Sequence, residues 1–186
     1  WIYRDLKPSN ILIDERGYPL IGDLGSSRFV DLNVTYTKMV GSPFYMAPEM
    51  YDEGKYTNKV DSYSFALVLY EMLVGKPVFE KTIQPLPLMR KVCNGTRPEI
   101  PNSIRPEIRD IISKCWDVSP NQRLNFSDIF AALERINFQI TPNVDVEKVK
   151  KFIDEVSNKI NIKIILLNGE LYPLEVTTDE KIINIR

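Results

Sequence analysis

The sequence predicts a mainly α fold with short β-hairpins, followed by a small α/β tail with a hairpin of its own. Three observations lead there. Lys59–Val74 is apolar at helical spacing nearly all round, as in a central buried helix. Ile11–Ile13 and Tyr18–Ile21 are short apolar runs separated by Asp14-Glu15-Arg16-Gly17, the pattern of a hairpin. After Asn137 the composition changes, and a charged amphipathic stretch leads into two β-rich runs.

Composition limits the function classes. The chain has 186 residues, 44% hydrophobic and 26% charged, enough for one core and a small appendage. A net charge of −1 gives no basic excess, so nucleic acid is not an expected partner. No apolar run reaches the length of a membrane span. Histidine is absent, which removes His-based triads and most zinc catalysis. Cys93 and Cys115 have neither disulfide nor zinc spacing. Both fall in helix-like segments and are expected to be buried free thiols in a reducing, cytoplasmic setting.

The chemistry concentrates near the start. Asp5, Lys7 and Asn10 lie within six residues, stiffened by Pro8, and a second carboxylate, Asp23, follows. The hairpin carries Asn10 at one end and Asp23 at the other. Two carboxylates and an amide at this spacing suit a site that holds Mg²⁺ and orients a hydroxyl toward a phosphate. Ser26–Met46 is a polar loop with hydroxyls at Ser26, Ser27, Thr35, Tyr36 and Thr37.

The remaining elements follow from punctuation. Gly75 and Pro77 end the long helix. Leu86–Cys93 reads as a shorter amphipathic helix, and Gly95–Pro101 as a proline-rich connector. Pro106–Trp116 reads as another helix, and Ser127–Ile136 as the last of this body, with Ser127 as its N-cap. Residues 1–138 form one domain and 139–160 a linker and helix, Val144–Ile160 being its amphipathic part. Residues 161–186 hold a hairpin around Asn168-Gly169 and a helix start from Thr177.

Tyr3-Arg4-Asp5-Leu6-Lys7-Pro8-Ser9-Asn10 resembles the catalytic loop of eukaryotic protein kinases. Asp23-Leu24-Gly25 resembles their magnesium-binding Asp-Phe-Gly, and Ala47-Pro48-Glu49 the motif closing their activation segment. The resemblance extends to about Asn137. It implies that Asp5 accepts or orients the substrate hydroxyl proton and that Lys7 neutralises charge on the moving phosphoryl group. It implies that Asn10 and Asp23 ligate Mg²⁺, and that Lys7, Asn10, Leu12 and Asp23 face ATP. A phosphate on Thr35 or Thr37 would pair with Arg4. Ser42 would be the small hydroxyl near Asp5 and Lys7. Asp61 would hold the catalytic-loop backbone, and Arg123 would pair with Glu49. Tyr3 and Leu24 stand where the family usually has His and Phe. Both are expected in an apolar stack, with no chemical role.

Lys7 resembles the Ser/Thr-directed members, and Cys115-Trp116 with Pro120-x-x-Arg123 the tyrosine-kinase-like group. The tail resembles the opening of a ubiquitin-like β-grasp domain. Only Trp1 and Ile2 precede Tyr3, so the chain is expected to be a fragment carrying the C-terminal lobe alone, with apolar surface exposed around Tyr3, Leu12 and Leu24. Protein substrates are the implied partners. A pseudokinase-like binding module remains the alternative.

Overall fold

The computed structural model describes residues 1–28, 40–52, 56–80, 82–157, 160–165 and 171–176. They fall into two compact units, Trp1–Pro142 and Asn143–Arg186. The first is mainly helical.

Strands β1 (Ile11–Ile13) and β2 (Pro19–Ile21) pair antiparallel, with Ile11 opposite Ile21 and Ile13 opposite Pro19. Asp14 organises their turn: its carboxylate accepts the N–H groups of Arg16 at 2.9 Å and Tyr18 at 2.7 Å. Gly17 supplies the left-handed residue that the reversal needs, with φ 81°. Asn10 and Asp23 therefore emerge side by side at the open end of the hairpin, where the Gly22 N–H bonds the Asn10 carbonyl at 2.9 Å. Leu12, Ile13, Leu20 and Ile21 are all exposed, as is Leu24 beyond the hairpin.

Helix α1 (Glu49–Asp52) is a single turn, and α2 (Lys59–Val74) is the axis of the unit. Val60, Tyr63, Ala66 and Leu67 of α2 are completely buried. Gly75, at φ 72°, caps α2 through its N–H to the Glu71 carbonyl at 2.8 Å. Helices α3 (Pro85–Cys93) and α4 (Pro106–Cys115) each open on a proline, which forfeits no helical bond at that position. Helix α4 packs along α2 through Ile108, Ile111 and Ile112, and Trp116 beyond it meets the Tyr70 ring at 5.6 Å. Helix α5 (Phe126–Arg135) closes the body.

Two expectations are corrected. The N-cap of α5 is Asn125, not Ser127. Asp128 reaches back to the Asn125 N–H at 3.1 Å in a capping box, so the helix starts one residue early. Cys93 is exposed, whereas Cys115 is buried. Helix α3 buries Leu88 and Val92, four apart, and the next residue turns off that face. Burial pushes the Cys115 thiol up to about 12.

The second unit holds α6 (Val146–Ser157) and the antiparallel strands β3 (Ile160–Ile165) and β4 (Leu171–Val176), paired from Ile160–Val176 to Ile165–Leu171. The Asn168-Gly169 turn and the helix start from Thr177 lie outside the described residues. Among those described, no helix is long and apolar enough to cross a membrane.

One ion pair ties α1 to the loop before α5. The fully buried Arg123 guanidinium grips Glu49 with two bonds, at 2.7 and 2.8 Å. Its remaining donors reach the carbonyls of Asp117, Lys59 and Val118 at 2.8, 3.1 and 3.3 Å. The guanidinium also lies 5.1 Å from the Tyr63 ring centroid, and Arg97 lies 5.0 Å from the same centroid. Glu49→Ala leaves this cation buried without its anion. The expected loss is about 3–5 kcal/mol, read from urea unfolding midpoints, and Arg123→Lys will not restore a forked pair.

Candidate active site

The site starts from a grip on backbone. Asp61, in the first turn of α2, accepts the N–H groups of Tyr3 and Arg4, each at 2.8 Å. Burial pushes its carboxyl above the ordinary value, and the two N–H bonds pull it part of the way back. Arg4 takes a left-handed backbone, φ 73°, that side chains rarely adopt. Its buried guanidinium bonds the Ser26 carbonyl and, at 3.3 Å, the Tyr56 hydroxyl. The Ile2–Arg28 bridge, with bonds of 2.7 and 2.9 Å, joins the same two stretches of chain. Thr35 and Thr37 lie outside the described residues.

The next residue, Asp5, is buried and saturated on most sides. Its Oδ1 accepts the Ser42 N–H at 2.8 Å. Its Oδ2 accepts Lys7 Nζ at 2.8 Å and Asn10 Nδ2 at 3.1 Å. Lys7 Nζ also donates to Ser42 Oγ at 2.7 Å. Burial raises the Asp5 carboxyl, but the Lys7 and Ser42 hydrogen bonds outweigh it and leave the group below its ordinary value. A carboxylate offers about four acceptor directions. Two of the bonds to Asp5 fall on Oδ2 and one on Oδ1, so Oδ1 is the less occupied oxygen.

Gly41 makes this approach sterically feasible. A Cβ there would sit well inside contact distance of the Arg4 carbonyl, and its φ is 102°. The sequence motif contains Gly41 but does not say what it faces. Tyr56 and the Ser26 carbonyl were likewise not identified from sequence. All three matter through contacts far apart in the chain.

Asn10 and Asp23 bring an amide oxygen and a carboxylate to the mouth of the hairpin. Asn10 Nδ2 is spent on the Asp5 side chain and, at 3.0 Å, on the Asp5 carbonyl. The amide oxygen is thereby left for a cation. Asp23 is exposed, with φ 53° and ψ 68°, and no hydrogen bond or ion pair holds its carboxylate among the described residues. Hard oxygen donors of this kind suit Mg²⁺, which keeps several waters and uses few protein ligands. The set fits such an ion only in part. Among the described residues, no three Asp, Glu, Cys or His side chains form a metal cluster, so water or phosphate must complete the shell. Leu12 lies against Gly22, with its Cδ1 3.4 Å from where a Cβ would project.

A helical lobe that gathers acid, lysine and amide at the mouth of a short hairpin has the make-up of a phosphotransferase. Comparison with protein families makes this specific: the protein kinase domain family matches residues 1–133, and the chain belongs to that family. It is 39% identical over 143 residues to the serine/threonine-protein kinase VIK of Arabidopsis thaliana, covering 73% of this chain and 32% of that protein. It is 38% identical over 142 residues to the RGS domain-containing serine/threonine-protein kinase A of Dictyostelium discoideum, covering 76% of this chain and 12% of the relative. The dual specificity protein kinase shkE of the same organism is 34% identical over 139 residues, covering 73% and 20%. The chain thus spans a third or less of these relatives' length.

Two outcomes are expected. Gly41→Ala strains the backbone and collides with the Arg4 carbonyl, lowering stability by about 1–3 kcal/mol in chemical unfolding. The second concerns acid. A depressed folded-state carboxyl contributes stability that is present above the unfolded value, about 3.9, and lost as pH falls through the folded one. The gap in unfolding midpoint between wild type and Asp5→Asn will therefore narrow as pH drops below about 4.

Proposed function

We propose that this chain carries the phosphoryl-transfer half of a MgATP-dependent serine/threonine protein kinase of the tyrosine-kinase-like group, acting in signal transduction. The carrying observation is the Asp5 carboxylate. It is held by Lys7 and Asn10 on Oδ2 and by the Ser42 N–H on Oδ1, the less occupied oxygen, and its carboxyl lies below the ordinary value. A substrate hydroxyl bonded to Oδ1 would be oriented for attack on the γ-phosphorus of ATP: its oxygen forms the new bond to phosphorus, the bond from that phosphorus to the β–γ bridging oxygen breaks, ADP leaves, and Asp5 takes the hydroxyl proton. Lys7 Nζ, 2.8 Å from Asp5, places a positive charge beside the reacting group. Ser42 Oγ fixes the direction of that ammonium. Asn10 and Asp23 would hold Mg²⁺, which screens the negative charge of the ATP phosphates. Leu12 would lie beneath the nucleotide.

Serine/threonine specificity rests on Lys7, and the group on Cys115-Trp116 together with Pro120-x-x-Arg123. Two of the relatives above are serine/threonine-protein kinases by name, in agreement with the former. In the activation reading, a phosphate on Thr35 or Thr37 would draw Arg4 away from Tyr56 and Ser26. The β3–β4 hairpin supports reading the tail as the opening of a ubiquitin-like domain.

The deciding assay follows γ-phosphate transfer to a serine- or threonine-containing protein, in the longest form of the protein that shows activity. Asp5→Asn keeps the size of the side chain but cannot accept the proton, and should lower kcat by about 10²–10⁴. Equal rates for the two proteins would refute the assignment and favour a binding module.

A further inference from the structure

Tyr3 does more than fill an apolar stack. Its ring is half-buried, and its hydroxyl donates to the carbonyl of Gly22, the residue before Asp23. Gly22 is thus held from both sides: its N–H by the Asn10 carbonyl at 2.9 Å, its C=O by Tyr3. Asp23 follows at once in a left-handed conformation that this tether has to maintain. Tyr3 is itself immobile, because Asp61 accepts its N–H at 2.8 Å. A phenylalanine would fill nearly the same volume and keep the backbone bond to Asp61, but would lose the hydroxyl's bond to the Gly22 carbonyl.

We propose that the Tyr3 hydroxyl is a positioning group that sets the separation of the Asn10 and Asp23 oxygens for a divalent cation. This rests on the reading of Asn10 and Asp23 as the cation's ligands. Tyr3 touches neither the cation nor the reacting atoms. It acts by fixing Gly22 and, through it, the direction in which Asp23 leaves the hairpin.

The test is a titration of the ¹⁵N-labelled chain with Mn²⁺ in place of Mg²⁺. Paramagnetic broadening of the amides around Asn10 and Asp23 is followed in wild type, Tyr3→Phe and Asp23→Asn, with a thermal melt of each. Tyr3→Phe should need about three- to tenfold more Mn²⁺ for half-broadening, the worth of one hydrogen bond. Its melting midpoint should fall by only a few degrees. A wild-type curve for Tyr3→Phe, with broadening lost in Asp23→Asn, overturns the role of Tyr3 and leaves the ligand reading intact. A wild-type curve for Asp23→Asn overturns the ligand reading and this inference with it. Should Tyr3→Phe not fold, the wild-type chain carries the test alone. In ¹³C-labelled wild type, the Tyr3 Cζ resonance in an equal H₂O/D₂O mixture should split into protonated and deuterated components, the mark of a slowly exchanging, hydrogen-bonded hydroxyl, and a single averaged line overturns the proposal.

Discussion

Everything at the site hangs from one carboxylate on one helix. Asp61 sits in the first turn of α2, the most buried element of the body, and takes two successive backbone N–H groups. Burying a carboxylate is costly, and only hydrogen bonds to its charged form make it tolerable. Here those bonds come from the catalytic-loop backbone itself. The loop therefore inherits the rigidity of α2, and every later contact is measured from that anchor. Side chains of Asp5, Lys7 and Asn10 can then interlock because their backbone has no freedom to drift.

The charged groups form two separate systems with different tasks. Around Asp5, three donors surround one carboxylate, two of them on Oδ2. Around Arg123, every donor is used: Glu49 takes two bonds, and three carbonyls take the rest. The two systems differ in place as well: Asp5 lies at the mouth of the hairpin, whereas the Arg123 guanidinium is fully buried.

Much of this was legible from sequence, and the failures have physical causes. The bounds of α2 could be read because its apolar run ends at Gly75, which alone adopts the left-handed cap without strain. From sequence, Asn10 and Asp23 stand at the two ends of the hairpin segment, and antiparallel pairing about the turn at Gly17 brings those ends together at its open mouth. Ser127 was misread as the cap of α5 because the reciprocal Asn125–Asp128 pattern starts two residues earlier. Cys93 was misplaced because one residue at a helix end rotates off the buried face. Tyr3 was read as an apolar residue, since the partner of its hydroxyl lies nineteen positions away. Gly41 shows the same limit: its partner is Arg4, and local pattern carries no record of that meeting.

Two non-glycine residues of the site, Arg4 and Asp23, are held at φ 73° and 53°. Such conformations cost about 1–3 kcal/mol each and persist only where neighbours impose them. The neighbours that do so are Asp61 and Ser26 for the first, and Asn10 and Tyr3 for the second. Release of any one of these grips lets its residue relax downhill, which weakens the hold on the next. The loop and the hairpin mouth therefore open as one cooperative unit, at a free energy below that of the helical core. Amide exchange would register that opening as a sub-global event: slow at α2, faster and mutually correlated from Leu6 to Asn10 and around Gly22, with the core still folded.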